Sequence, residues 1–360
     1  MPKMNILLCG GGTGGHYYPL MAIKKDLNSK SDFNFSYIGA KKGIENLKIK
    51  SENIEYKLIT ISGINRKLNF KFMLENLKVM INVIFGFFSV LMFFIKQKPN
   101  LVISTGGYSS FLPLQVARML KVPYVLHEQN SYPGIVTRMF SKKAKAVFLG
   151  FENAKKYLKL SNNIYSGNPV LLSNNHNIHL NISKHLKTLL VFGGSQGSKF
   201  LNEKIKTALE RDKLDFINIV WIVGKNNYES LKHLQKENTI IYDYCNRMSA
   251  MCQNVDLVLS RSGAMTIAEL IKFEKPSILI PFKYSSENHQ HYNARFLQDN
   301  LCSKLIEEDD FSENTFISSL KNLSQNDRIL DSMKSNFKNI AIPDTLSLIS
   351  DYILEKKYAL

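Results

Sequence analysis

Short apolar runs rich in β-branched residues alternate along this chain with stretches of helical periodicity. MNILLC (4–9), FSYIG (35–39), LVIST (101–105), YVLHE (124–128) and AVFLG (146–150) predict strands, and helices are expected between them over Pro19 to Asn28, Phe70 to Ile95, Ser110 to Leu120 and Gly134 to Ser141. Runs so uniformly apolar are buried on both faces, which means a parallel sheet covered by helices on each side. After the turn signal SGNPV (166–170) and a polar stretch at 173–183 that reads as a surface insertion, a second series begins with TLLVF (188–192), NIVWIV (218–223), TIIY (239–242), DLVLS (256–260) and SILI (277–280). The pattern predicts an α/β protein of two doubly wound, Rossmann-like domains, 1–167 and 168–344. A last helix, at about 345–360, is expected to pack back on the first of them.

At 360 residues the chain has room for two such cores. With 44% hydrophobic and 21% charged residues, its composition excludes wholesale disorder and a polytopic membrane protein. The start, MPKMNILLCGGG, lacks the basic segment, apolar core and cleavage site of a signal peptide, so the protein is expected on the cytoplasmic side. Cys9, Cys245, Cys252 and Cys302 are scattered without CxxC spacing and read as reduced thiols, not as a zinc site. Charge changes the picture more. Met1 to Gly167 carries 24 Lys and Arg against 8 Asp and Glu, whereas the remainder carries 23 against 22. An excess confined to one half predicts an anionic partner for that half, a nucleic acid or an anionic membrane surface.

Candidate chemistry gathers at loops. The first strand ends in Gly10-Gly11-Gly12-Thr13-Gly14-Gly15-His16, the LVIST strand in Thr105-Gly106-Gly107-Tyr108-Ser109-Ser110, and TLLVF in Gly193-Gly194-Ser195-Gln196-Gly197-Ser198. Glycines tolerate positive φ and bring backbone N–H groups and a helix start near an anion. One such loop is a weak signal, and the first lacks the Lys-Ser/Thr ending of a P-loop. Repetition at strand carboxyl ends, where open α/β sheets bind ligands, predicts a nucleotide diphosphate held in a cleft between the domains. Polar residues fall at equivalent places: His127-Glu128-Gln129-Asn130 at the end of YVLHE, Arg261-Ser262-Gly263-Ala264-Met265-Thr266 after DLVLS, and Asn288 to Asn293 after SILI. The small-residue helix start after Gly263 suits a diphosphate, and Glu269 inside that helix is placed to accept from a ribose diol.

In order and spacing, GGTGGH (11–16), GGYSS (106–110), HEQN (127–130), GNPV (167–170), GGSQG (193–197), RSGAMTIAE (261–269) and NHQHYNA (288–294) span nearly the whole chain. Together they resemble the MurG family of bacterial peptidoglycan glycosyltransferases, within glycosyltransferase family 28. The resemblance implies the GT-B fold, two Rossmann-like domains facing each other across a cleft. It also implies an inverting hexosyltransferase that moves N-acetylglucosamine from UDP-GlcNAc to the 4-hydroxyl of the muramyl sugar on lipid I, MurNAc-(pentapeptide)-pyrophosphoryl-undecaprenol. The products are lipid II and UDP, and the role is peptidoglycan synthesis, hence cell-wall biogenesis, cell shape and cell division.

By the same resemblance, Ser195, Ala264, Met265 and Thr266 hold the donor diphosphate and Glu269 the ribose. Cys245 and Met248 lie by the uracil, and Asn130, His289 and Gln290 read the sugar. Thr13, Gly14, Gly15, His16, Gly106, Gly107 and Tyr108 face the acceptor. His16 is the preferred base, because a neutral imidazole accepts a proton near pH 7; Glu128 or water is the alternative. One position departs from the family: Leu171 stands where an arginine serving the donor phosphates is common. No DxD-type acidic pair sits at a loop, so neither metal nor cofactor is expected.

Two rival functions remain open at this stage. A UDP-GlcNAc 2-epimerase-like enzyme would share the fold. A basic nucleic-acid-binding protein would explain the charge but not the loops, and no nucleic-acid motif is present, so no nucleic-acid partner is expected. The lipid-linked acceptor implies a peripheral position on the cytoplasmic face of the cell membrane, with other cell-wall synthesis proteins as further partners. Val79 to Ile95 fits that position: 17 residues interrupted only by Asn82 and Ser89, at the lower edge of spanning length and flanked by Arg66, Lys67, Lys71, Lys78, Lys96 and Lys98. Phe87, Phe88 and Leu91 are expected to make the lipid contact.

Overall fold

The structure, a computed structural model, describes residues 3–61, 70–160, 162–170, 178–194, 197–245 and 248–356, and within 70–81 the backbone alone. It divides into two compact units, Met1–Pro169 with Ile342–Leu360, and Val170–Ala341.

In the first unit strands and helices alternate: β1 (Met4–Gly10), α1 (Gly14–Lys30), β2 (Phe33–Ala40), α2 (Glu45–Lys48), β3 (Glu55–Ile59), α3 (Phe70–Gln97), β4 (Leu101–Gly106), α4 (Phe111–Met119), β5 (Tyr124–Glu128), α5 (Ile135–Phe140), β6 (Ala146–Leu149), α6 (Lys155–Leu158) and β7 (Asn163–Tyr165). All strands are parallel, in the order β3-β2-β1-β4-β5-β6-β7. The second unit repeats the plan with β8 (Thr188–Phe192), α7 (Lys199–Glu210), β9 (Asn218–Ile222), α8 (Lys225–Leu231), β10 (Thr239–Tyr242), α9 (Met248–Gln253), β11 (Leu257–Ser260), α10 (Ala264–Lys272), β12 (Ser277–Leu279), α11 (His289–Asp299), β13 (Ser303–Leu305), α12 (Glu313–Ser324) and α13 (Asp327–Asn336). Its parallel order is β10-β9-β8-β11-β12-β13. The final helix, α14 (Thr345–Glu355), belongs to the first unit. There Ile349 and Ile353 join the core with α1, Tyr352 donates to the Lys145 carbonyl at 3.0 Å, and Asp351 pairs with Lys30 at 2.8 Å.

The apolar pattern does not predict β3, β7 or β13. All three are sheet edges, where one-sided burial removes the need for an apolar run. Glu55, Tyr56 and Lys57 of β3 are exposed, and only its last residue is buried. The central strands β4, β5 and β8 are buried throughout, as runs covered on both faces must be.

Helix α3 has two different faces. Val90, Phe93 and Phe94 turn inward, with Phe87 and Leu91 packed against the same core. Ile84, Phe85, Phe88, Met92 and Ile95 face outward, Phe85 at 71% and Met92 at 65% exposure. The helical repeat therefore corrects part of the expected lipid contact: Phe87 and Leu91 lie on the core side, and Phe88 alone of that trio is exposed. Among the described residues, no helix is long and apolar enough to cross a membrane. Arg66 and Lys67 lie outside the described residues, as do the side chains of Lys71 and Lys78.

Candidate active site

The strand order of the first unit reverses between β1 and β4, so the loops that follow them diverge and open a crevice at the strands' carboxyl ends. A register shift after Cys9 sets Gly10 opposite Gly106. Thr13, exposed and extended, is the N-cap of α1, and its side chain makes no capping bond. Gly14 and Gly15 form the first turn and His16 follows. The His16 ring lies against Gly107: a Cβ there would come within 3.0 Å of His16 Cδ2, and φ of 79° is a conformation that side chains disfavour. Only glycine serves both demands.

His16 Nδ1 lies 2.8 Å from the Thr105 carbonyl oxygen and 2.7 Å from Gln129 Oε1. Both neighbours can only accept, so Nδ1 carries the proton and, in the neutral ring, Nε2 carries the lone pair. Nε2 has no hydrogen bond among the described residues. The Thr105 hydroxyl donates back to the His16 carbonyl at 2.8 Å, fastening the first turn of α1 to the end of β4. The tautomer suited to accepting a proton is thus built into the loop pair.

Glu128 is differently placed. It is buried at the end of β5, and Oε1 accepts from Asn130 N at 3.0 Å and from Asn130 Nδ2 at 3.2 Å. Oε2 accepts from Gly134 N at 3.0 Å. Both carboxylate oxygens are engaged in holding the 128–134 turn, and the Asn130 side chain is drawn into the same arrangement.

Sequence reasoning misses Glu45. This residue opens α2, is fully buried, and accepts from Gly12 N with Oε1 at 3.0 Å and Oε2 at 2.9 Å, while Oε1 also accepts from Ala40 N at 2.7 Å. A Cβ on Gly11 would sit 2.4 Å from the carboxylate and one on Gly43 would sit 2.0 Å from it, so their hydrogens are what make room for it. The expectation that the first loop offers its amides to an anion is narrowed here by one amide: the Gly12 N–H already faces a buried carboxylate. The glycine-flanked Glu in GAKKGIE was the one available signal. Tyr108 packs its ring against Gly12, and burial, followed by the Glu45 charge, raises its phenol above the usual range.

In the second unit the equivalent crevice lies between β8 and β11. Helix α10 begins at Ala264 after the extended N-cap Gly263, which has no side chain to cap it; Ala264, Met265 and Thr266 supply the first-turn amides. Glu269 lies one turn further and is partly buried, and that desolvation pushes its carboxyl up to about 7. Cys245 and Met248, half-buried, follow the end of β10. His289 Nδ1 is held by the Ser286 carbonyl at 2.7 Å, and Gln290 Oε1 accepts from Phe282 N at 2.9 Å, which leaves the Gln290 amide nitrogen facing outward from that bond. Ser195, expected at the diphosphate, and Leu171 lie outside the described residues.

Arg261 is the cation nearest in sequence to the α10 start, and it is already committed. Its Nε donates to Ser198 Oγ at 3.1 Å, and its Nη1 donates to the Ile280 and Pro281 carbonyls, both at 3.1 Å. Nη1 also pairs with Glu308 at 2.5 Å, and the rings of Phe200 and Phe282 lie within 5.5 Å of the guanidinium. It fastens three loops together. Among the described residues, no group of three or more His, Cys, Asp or Glu is arranged to hold a metal ion.

Comparison with known proteins agrees with this layout unit by unit. Residues 6–149 match the glycosyltransferase family 28 N-terminal domain, and residues 188–348 match the glycosyltransferase family 28 C-terminal domain. A Finegoldia magna protein is 34% identical over 362 residues, 97% of this chain and 97% of the relative. A Bacillus subtilis protein is 31% identical over 366 residues, covering 98% of this chain and 100% of the relative. Each is named UDP-N-acetylglucosamine--N-acetylmuramyl-(pentapeptide) pyrophosphoryl-undecaprenol N-acetylglucosamine transferase. Among solved structures, MurG of Acinetobacter baumannii superposes with a TM-score of 0.77 at 24% identity, over 98% of this chain and 100% of that one. The calicheamicin glycosyltransferase superposes with a TM-score of 0.74 at 10% identity, over 99% of each chain; both likenesses speak for the fold alone.

Proposed function

The chain belongs to glycosyltransferase family 28, and on that premise we propose that it transfers N-acetylglucosamine from UDP-N-acetylglucosamine to the 4-hydroxyl of MurNAc-(pentapeptide)-pyrophosphoryl-undecaprenol. Relatives aligned almost end to end carry the name of that transfer, which supplies the substrates. The observation that supports the chemistry is His16, with Nδ1 bound to two acceptors and Nε2 left as a base. The acceptor hydroxyl oxygen attacks C1 of the donor sugar opposite the leaving group. As the C1–O bond breaks, its electron pair departs on UDP and the hydroxyl proton passes to His16 Nε2. Glu128 is less suited to that step, since both its oxygens already bind its own turn.

Charge developing on UDP is met by the first-turn amides of α10, a stabilisation that gains weight because Arg261 is neutralised by Glu308. Glu269 takes the ribose, Cys245 and Met248 lie by the uracil, Ser195 joins the diphosphate contacts, and Asn130, His289 and Gln290 bind the sugar. The loops of Thr13 to His16 and Gly106 to Tyr108 hold the acceptor. No step needs a metal. Product analysis with UDP-N-acetylglucosamine, with and without a lipid-linked muramyl acceptor, tests the proposal. A disaccharide product and UDP formed only with acceptor are expected, whereas acceptor-independent conversion of the donor sugar to its epimer would replace this reading with an epimerase.

For such an acceptor the first unit must work at a membrane surface, and we propose that it rests on the cytoplasmic face without crossing. Supporting this, the outward row of α3 meets, at Ile84, an open apolar groove of about 520 Å³ lined also by Val83, Phe111, Leu112 and Met139. Met119, Leu120 and Ile135 extend the exposed apolar surface. Arg118 borders the groove, and exposed Lys121, Lys142 and Lys143 follow α4 and α5, supplying the charge that an anionic leaflet attracts.

A further inference from the structure

His127 and Gln129, at and just beyond the end of β5, make with His16 a hydrogen-bonded chain whose direction is set by one backbone carbonyl. His127 is fully buried, and burial, the largest cause, lowers its imidazole to about 4, so the ring is neutral. A neutral ring has one N–H. His127 Nε2 faces the Gly167 carbonyl oxygen at 3.1 Å, an atom that can only accept, so the proton sits on Nε2 and Nδ1 is a bare acceptor. Gln129 Nε2 meets that bare nitrogen at 2.9 Å and gives its second hydrogen to the His127 carbonyl at 2.7 Å. With both amide hydrogens assigned, the orientation of the Gln129 side chain is determined. Its Oε1 points at His16 Nδ1, 2.7 Å away.

We propose that Gln129, held by His127, is a positioning residue for the transfer: its carbonyl locks the His16 ring in the orientation and tautomer that present Nε2 to the acceptor hydroxyl. This rests on the reading of His16 as the base. The Thr105 carbonyl shares the Nδ1 proton, but it belongs to the strand itself, whereas Gln129 is a side chain that fixes the ring from the β5 side. Because the partner is an amide, it orients the ring without placing a counter-charge beside the proton that arrives during the reaction. Among the described residues, the surrounding loops also carry ionisable Glu128, Tyr108 and Glu45, with Lys41 and Lys42, exposed, before Glu45 and Tyr132 in the 128–134 turn. Glu128 is bonded to its own turn and Glu45 to Gly12 and Ala40, so neither carboxylate is the partner of the ring.

The test compares wild type, Gln129→Leu and Gln129→Glu in the full chain. The readouts are pH profiles of kcat/KM with UDP-N-acetylglucosamine and a lipid-linked muramyl acceptor, and nitrogen chemical shifts of the histidine rings in labelled protein. Gln129→Leu is expected to lower kcat about tenfold or more while leaving both KM values nearly unchanged, since only the orientation of the base is lost. Gln129→Glu should keep the Nδ1–H tautomer, restore kcat at high pH and move the acid limb upward by about one unit, because a carboxylate now favours the protonated ring. His16 nitrogen shifts and titration that are the same in all three proteins would overturn the positioning role. A ring titration that moves in Gln129→Glu without moving the acid limb would uphold the contact and remove His16 as the base. Because the Gln129 amide is the donor to His127 Nδ1, the His127 signals should move with either substitution; an unchanged urea midpoint in both variants establishes that the fold is intact.

Discussion

Glu45 and Gly12 are joined by a carboxylate that grips one backbone N–H with both oxygens, at 3.0 and 2.9 Å, across 33 residues of sequence. This contact holds the first glycine loop down onto the end of β2, where the same carboxylate takes the Ala40 N–H. Removing it by Glu45→Ala leaves two buried donors unsatisfied and a void between Gly11 and Gly43. The expected loss is about 3 kcal/mol, the scale of hydrogen bonds to a buried charged group, read as a lower urea midpoint. An unchanged midpoint would mean that solvent or a neighbour replaces the carboxylate without cost.

For His16→Ala, turnover should fall about 100-fold or more, the usual contribution of a positioned general base, while the protein remains folded. Steady-state assays with both substrates decide it. Near-normal turnover would transfer the role to water or to Glu128.

Glu269 predicts a pH dependence with a definite sign. Its carboxyl lies at about 7 in the folded protein against 4.5 for a free glutamate side chain, so the folded state holds the proton more tightly than the unfolded state. Stability from this group is fully present below pH 4.5 and is lost as pH rises through about 7, by at most about 3 kcal/mol. Glu269→Gln should flatten that fall, measured as melting temperature at pH 5 and pH 8. UDP binding runs the opposite way: ribose hydroxyls donate to the ionised form, so affinity should rise with pH across this range, and calorimetry near pH 7 should detect proton release. Glu269→Ala should raise the donor KM more than it lowers kcat, because a ribose contact is largely uniform binding. An unchanged donor KM would take Glu269 out of the site.

The membrane proposal is tested by flotation with anionic and neutral vesicles. Changing Phe85, Phe88 and Met92 to Ser removes the outward apolar row of α3 and spares its core face. Wild type should float with anionic vesicles and less with neutral ones, and the triple variant should stay behind in both. Equal flotation of the two proteins would move the anchor elsewhere.

Local pattern determined much of this protein. The central strands are legible as apolar runs because burial on both faces permits little else, and the glycine loops are legible because strand ends with positive φ admit few other residues. The candidates Thr13 to His16, Gly106 to Tyr108 and Ala264 to Glu269 were found this way, each within a few residues of its strand. Edge strands such as β3 were not, since a polar, one-sided strand looks like a loop.

Tertiary structure alone decided what each side chain faces. Whether Phe87 or Phe88 meets solvent depends on how α3 is rotated against its sheet. Whether Arg261 serves a phosphate or a carboxylate depends on where Glu308 is carried, far along the chain. His16 meets Gln129 across 113 residues, and Gly12 meets Glu45, only because β1 lies between β2 and β4 and β5 follows β4 in the sheet. Hydrogen bonds to a buried atom are set by strand order and register, which place distant residues within 3 Å, and a linear pattern of apolar and polar positions carries no record of that adjacency.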